Sequence, residues 1–407
     1  MLYPLTISLS LCLEQRLHIS YSYIIKILSF MSLTMTMGFI HLLLKKMNAR
    51  PIIQALAILC AGFSPIMINY SLCLYSENAC WPWLMAAVYG GSAYIDSFQI
   101  TRQRNLQPAV FLGIALLGFT LVKGVGEAIF PLFLSSLIWI AWQHSASHFI
   151  PFLKKSKTTI LIAILIFFIP ITFIKILNYK YNGQFTYTNR GNLSLYGQII
   201  SRSRIPINKD NILSHFLTVP VSYERCINFF PSDTCEQWSM AHSDATFLNR
   251  YNSLIAQGVP ADQSNKIIRD EMLSAIVQSP LAQIIYWAQE TMKMFFWETT
   301  QGPFVAYPPW LEKLFNQGWL IMIMSWGVGI TCCGAFIIAF RHTQEKIILV
   351  TVILTSLLMA LFGFVHILHR YTIIIAPLMI LLIFASLEKC LPRHKPASDP
   401  SAINKKD

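Results

Sequence analysis

The sequence predicts an all-α polytopic membrane protein of about nine transmembrane helices, with one outward-facing loop domain of mixed α/β character. Three observations predict it. Hydrophobic residues make up 55% of the chain and charged residues only 12%, with a mean hydropathy of +0.51. A soluble domain carries about 25% charged residues. Apolar runs of roughly 17–25 residues, the length that crosses a bilayer, recur along the chain. Basic residues collect in every second connection between those runs, the pattern that fixes membrane orientation.

The runs lie near residues 19–44, 51–70, 81–95, 108–122, 129–142, 158–177, 318–340, 347–364 and 371–387. The third, fourth and fifth are short. The second contains "SPIMINYS", and a break is expected at Ser64-Pro65. Proline there removes a backbone donor and restricts the residue before it. This divides the chain into N-terminal transmembrane helices (1–177), a loop domain (178–317), C-terminal transmembrane helices (318–390) and a polar tail (391–407).

Lys45, Lys46 and Arg50 follow the first run, and Arg102 and Arg104 the third. Lys154, Lys155 and Lys157 follow the fifth. Arg341 and Lys346 lie between the seventh and eighth, and Lys389, Arg393 and Lys395 follow the ninth. These connections are expected to be cytoplasmic. The region around Glu77, the turn at 123–127, the loop domain and "HILHRY" at 366–371 are expected outside. The net charge of +12 is then orientation charge. No basic patch interleaved with aromatics points to a nucleic-acid partner. The same parity places Met1 outside without a signal peptide, so an upstream span is expected to precede it.

"GFTLVKGVGEAIFPLFL" (118–134) places Lys123 and Glu127 at the outer end of a helical hairpin. Lys123 is expected to snorkel, and Glu127 to pair with it at helical spacing. In the loop domain, "GQFTYTNRGNLSLYG" (183–197) alternates like a strand. Residues 261–298 read as helix broken at Pro280. The second half, "LAQIIYWAQETMKMFFWET", fits either a helix lying on the membrane interface or an ordinary helix of a small domain. Cys226 and Cys235 bracket "INFFPSDT", and an oxidising outer compartment favours their disulfide. Cys60, Cys332 and Cys333 read as small apolar residues within runs. No Cys/His spacing matches structural zinc.

Four segments carry a resemblance. "MLYPLTISL", "FSPIMINYSLCLYSENACWPWLMAA", "GFTLVKGVGEAIFPLFL" and "HILHRYTIIIAPLMILLI" resemble, in order, segments of the GT-C glycosyltransferases, notably the aminoarabinose-transferase-like and protein-mannosyltransferase-like branches. The resemblance covers residues 1 to about 390. It departs at Ser76-Glu77, which stands for Thr-Glu, and at Val122 and Val125, which replace Thr and Pro around the Lys-Gly pair. The family's catalytic carboxylate lies in a loop that would precede Met1. The resemblance therefore implies a scaffold that, as this chain alone, lacks sugar transfer.

The resemblance implies a polyprenyl-phosphate-linked sugar as donor and a glycolipid, polysaccharide or protein as acceptor, in a bacterial inner membrane with the large loop in the periplasm. Transfer needs a base for the acceptor hydroxyl and cations for the leaving phosphate. Glu77 is the candidate catalytic carboxylate. Lys123 and Arg370 are the candidate lipid-phosphate ligands. Glu127, His366 and His369 are candidates for support. The two histidines, three residues apart, leave a divalent metal open, against a plain role as polar groups at a wet helix end. Two other classes stand beside the enzyme: a flippase or transporter of a lipid-linked sugar, and a non-catalytic scaffold partner. Transporters usually show paired repeats and broken helices at midplane, and no repeat is visible here.

Overall fold

The structure is a computed structural model that describes residues 2–71, 76–99, 106–143, 149–183, 185–186, 191–218, 226–227, 229–238, 240–295, 308–315, 317–362 and 368–392. Every regular element among them is an α-helix.

Helix α1 (Leu2–Leu17) turns into α2 (Tyr21–Lys46) through His18, which takes a positive φ of 53°. Helix α3 (Pro51–Phe63) opens on a proline, whose missing N–H costs nothing in a first turn. It stops at Ser64, held extended (φ −61°, ψ 120°) before Pro65 opens α4 (Pro65–Ser71). The break read from the sequence is thus present. A single turn, α5 (Ser76–Ala79), leads into α6 (Trp81–Gln99). Helices α7 (Gln107–Val122), α8 (Gly126–Gln143) and α9 (Phe149–Asn182) complete the first half.

The second half begins with the loop domain. It contains α10 (Gly191–Arg204), α11 (Lys209–Thr218), α12 (Ser232–Glu236), α13 (Met240–Ala256), α14 (Ala261–Gln278), α15 (Pro280–Lys293) and α16 (Pro309–Phe315). Helices α17 (Gly318–Ala339), α18 (Thr343–Phe362) and α19 (Leu368–Cys390) close the chain. Each predicted apolar run coincides with one helix, the 51–70 run with the α3–α4 pair. Among the described residues, four helical segments are long and apolar enough to cross a membrane: Tyr21–Lys46, Gly126–Gln143, Ser156–Tyr181 and Ile373–Cys390.

Packing agrees with composition. The exterior of α9 is a stripe of exposed Leu161, Leu165, Ile169, Phe173 and Ile176 at three- to four-residue spacing. The exterior of α17 repeats this with Trp319, Ile323, Trp326 and Ile330. Apolar stripes of this extent are not stable against water and mark a lipid-facing surface. This is an all-α membrane protein. Helix α19 is the central pole, with Ile373–Leu382 almost wholly buried against α2, α3, α17 and α18.

Ion pairs gather at the helix ends. Lys46 pairs with Asp96 at 2.8 Å, Arg50 with Glu388 at 3.3 Å, and Lys389 with Glu345 at 3.4 Å. All six residues lie at the end of the bundle away from the loop domain. The loop-domain end has its own pairs, described below.

The expected strand at 183–197 is not present in its second half, which belongs to α10. Residues 187–190 lie outside the described set. Tyr196, Ile199 and Ile200 fall on one helical face and bury against Phe247, Leu254, Ile268 and Met272 of α13 and α14. That buried face, formed only as a helix, overrides the local alternation. The expected break at Pro280 is present, because Pro280 opens α15 after Ser279 leaves the helical region (φ −134°, ψ 55°).

Candidate functional site

Helix α7 ends because Lys123 turns extended (φ −127°, ψ 110°) while its N–H still bonds Phe119 O at 2.8 Å. The chain reverses at once, with Gly126 N–H donating to Lys123 O at 2.9 Å. Only glycine fits there. A Cβ on Gly126 would run into the Thr120 side chain and stand 2.8 Å from Thr120 Cα. Lys123 and Glu127 therefore do not share a helix, and the expected pair between them does not form. Glu127 instead pairs with Lys175 on α9.

Lys123 turns to α5, where its Nζ donates to Glu77 Oε1 at 2.7 Å. Glu77 is 1% exposed. Ser76 Oγ donates to its other oxygen at 3.1 Å, and Cys80 Sγ to its carbonyl at 2.9 Å. The single turn of α5 is itself pinned. Ser32 Oγ donates to Asn78 O at 2.6 Å, and the Asn78 amide donates to Tyr70 O. Trp81 Nε1 donates to Ile373 O at 2.7 Å, which sets the register of α5–α6 against α19. Arg370 lies one turn before Ile373, in the first turn of α19. The backbone thus brings the turns carrying Glu77, Lys123 and Arg370 to one end of the bundle.

The side chains of His369 and Arg370, and His366 entirely, lie outside the described residues. No group of three or more His, Cys, Asp and Glu side chains is gathered for a metal among the described residues. Cys226 and Cys235 are joined by a disulfide, with Cα atoms 5.9 Å apart and both sulfurs buried. The Trp238 backbone N–H donates to Cys235 O at 3.2 Å in the turn that follows α12.

A second polar centre was not read from the sequence. Arg202 of α10 is 2% exposed and forms a fork on Glu290 of α15, with Nε to Oε1 at 3.2 Å and Nη2 to Oε2. Its Nη2 also reaches Gln198 Oε1 at 2.9 Å and the Ala360 carbonyl of α18 at 3.4 Å. His215 of α11 lies 3.3 Å from Glu290 Oε1 through Nε2 and 2.8 Å from Gln289 Oε1 through Nδ1. Trp238 and Tyr286 pack on its ring. Lys293 is buried beside the group, and its Nζ has no hydrogen-bond partner among the described residues.

The charges follow from this packing. Burial, and next the Lys293 charge, push the His215 imidazole down to about 4, against the pull of Glu290. Burial alone pushes the Lys293 ammonium well below the lysine range, although Glu290 opposes it. Burial works against ionisation of Glu290 too. The Arg202 charge and the His215 hydrogen bond outweigh it and hold the carboxyl below the usual range. Near neutral pH the centre thus holds the Arg202–Glu290 ion pair beside a neutral His215, with burial weighing against the Lys293 ammonium.

Its position makes it a seam. Arg202 bonds the Ala360 carbonyl of α18 at 3.4 Å. Trp287 Nε1 donates to Leu357 O at 2.9 Å on the same helix. Helix α15 is therefore a domain helix packed on α10, α11 and α18, while Leu281 and Ile284 remain exposed. The available sequence signal was register. Ala282, Gln283, Tyr286, Glu290 and Lys293 recur at helical spacing on the buried face, so charges occupy positions normally filled by apolar residues.

The chain matches no known family, no curated protein and no solved structure.

Proposed function

We propose that the protein is a membrane-embedded glycosyltransferase of GT-C type, using a polyprenyl-phosphate-linked sugar at the outer face of the membrane. The observation that carries the reading is Lys123, held by the buried Glu77 at the bundle end where the first turn of α19 brings Arg370. An ammonium fixed by a carboxylate is a pre-positioned cation for a leaving phosphate. In the transfer, the acceptor oxygen attacks the anomeric carbon and gives up its proton to the Glu77 carboxylate. The bond from that carbon to the carrier phosphate breaks, and the phosphate leaves with the electron pair. Lys123 and Arg370 take up that charge. Glu77, wrapped by Lys123 and Ser76, holds Lys123 in place.

On this reading the nine apolar runs span a bacterial inner membrane. The loop domain and the 123–127 turn face the periplasm, and residues 391–407 face the cytoplasm. Thiol labelling of single cysteines in intact cells should reach the loop domain and not the tail. The reverse pattern would overturn the orientation.

The function is tested by binding of a radiolabelled polyprenyl-phosphate sugar to purified protein, alongside transfer in membranes. Lys123→Ala and Arg370→Ala should each weaken donor binding by at least about tenfold. Donor affinity unchanged in both would sink the assignment. Movement of the intact donor across vesicles, with no sugar transferred, would favour a flippase instead.

A further inference from the structure

The loop domain holds a polar cavity that the Glu77–Lys123 end does not use. Its volume is about 460 Å³, within the ~300–1,000 Å³ of small-molecule sites. It lies between α10 and one face of α13. His242, Thr246, Asn249, Arg250 and Ser253 follow at helical spacing along α13, while Tyr196 and Arg204 come from α10. A polar face on a helix is ordinarily a solvated one. Two features separate this face from that ordinary case.

One is convergence. Guanidinium groups from two different helices, Arg204 and Arg250, line one concavity together with hydroxyl and amide groups. The other is pre-organisation. Arg250 Nε donates to both oxygens of Glu271 on α14, at 3.1 and 3.2 Å, and its Nη2 donates to Oε1 as well. Tyr196 Oη donates to Oε2 of the same carboxylate at 2.7 Å. Glu271 therefore locks the Arg250 fork and the Tyr196 ring at once. Beneath them, Tyr196, Phe247, Leu254, Ile268 and Met272 form a packed apolar floor. One carboxylate set against two guanidinium groups leaves the cavity net positive.

Planar guanidinium forks match the oxygens of a phosphate or carboxylate. Asn249, Thr246 and Ser253 supply the short donors and acceptors that hydroxyl groups need. We infer that this cavity binds an anionic sugar, its phosphate seated between Arg204 and Arg250 and its hydroxyls on the α13 face. The inference does not depend on the glycosyl-transfer reading.

The test is calorimetric titration of the purified protein, in nanodiscs of neutral phosphatidylcholine, with glucose 1-phosphate, inorganic phosphate and glucose. Glucose 1-phosphate should bind, inorganic phosphate should bind more weakly, and glucose should give no heat. Arg204 is exposed, so Arg204→Ala removes one fork without touching the core. It should weaken binding by at least about tenfold with an unchanged unfolding temperature. Asn249→Ala, also exposed, should weaken glucose 1-phosphate more than inorganic phosphate. Repeating the titration in phosphatidylglycerol nanodiscs separates the sources. Arg204-dependent competition by the lipid assigns a lipid headgroup, and retained binding assigns a soluble sugar phosphate. No binding of either anion by the unmodified protein, or full binding by both Arg204→Ala and Asn249→Ala, would overturn the inference.

Discussion

Lys123 bonds Glu77, 46 residues away, and not Glu127, four residues along its own chain. The pair is unequal. Glu77 is buried, whereas the Lys123 side chain keeps 17% of its surface exposed. Removing one member of a buried pair costs about 3–5 kcal/mol when the remaining charge has no route to water. Lys123→Met should therefore approach that figure. Glu77→Gln, which keeps an acceptor and leaves an ammonium close to solvent, should cost only about 1–2 kcal/mol. The double variant should cost less than the sum of the single ones. Thermal unfolding in detergent measures all three, and equal, additive losses would show that the two groups do not act as a pair.

The turn that aims Lys123 depends on Gly126. A side chain there meets the backbone of Thr120, which cannot swing aside as a flexible side chain can. Gly126→Ala should cost about 1–3 kcal/mol through overpacking. It should also move Lys123 away from α5. The sharper measurement is a cycle. In the Gly126→Ala background, Glu77→Gln should lose most of its effect on stability. An undiminished effect would mean that the turn does not set the pairing.

The seam predicts acid sensitivity of defined sign. His215 in the native protein binds its proton near pH 4, below its ordinary 6.5. Between these values the unfolded chain holds a proton that the native one lacks, so stability falls as pH drops from 6.5 towards 4. A shift of this size corresponds to about 3 kcal/mol. Glu290, whose native value is depressed, adds a loss of the same sign as pH falls through that lower value. Lys293, also depressed, adds the same sign on the alkaline side, where stability rises with pH towards the ordinary lysine value. Unfolding followed by tryptophan fluorescence should therefore weaken across pH 6.5 to 4, and His215→Gln should flatten that window. An unchanged slope in His215→Gln would remove His215 as the cause.

What was legible in the sequence was local. Apolar windows located the helices of the bundle because a lipid-facing helix needs an unbroken apolar face. Pro65 and Pro280 located breaks because proline acts on its own backbone. Glu77 and Lys123 were legible as isolated polar residues at the ends of apolar runs. Their pairing was not, because the extended Lys123 and the tight approach at Gly126 redirect the chain after α7. Helix α10 was missed because its register, Tyr196, Ile199 and Ile200, is short and follows a strand-like stretch. The Arg202–Glu290 centre spans 88 residues and three elements, a juxtaposition that no periodicity encodes.

Arg202 joins the loop domain to the bundle through its contact with α18. It neutralises Glu290 within the domain and donates to the Ala360 carbonyl of α18 at the same time. His215, pushed down to about 4, is neutral near pH 7 and does not replace that charge. Arg202→Met should leave Glu290 charged and buried, at a cost of about 3–5 kcal/mol. Arg202→Lys keeps the charge but loses the fork, and should recover only part of that loss. Adding Glu290→Gln to Arg202→Met removes the stranded charge and should restore stability within the domain. It should not restore the bond to Ala360, so docking on α18 should remain weakened. Unfolding temperature reports the first effect. Limited proteolysis of the loop domain, with Trp287 fluorescence as a probe of its contact with Leu357, reports the second. If the double variant recovered both readouts, the Arg202–Ala360 contact would carry no docking role.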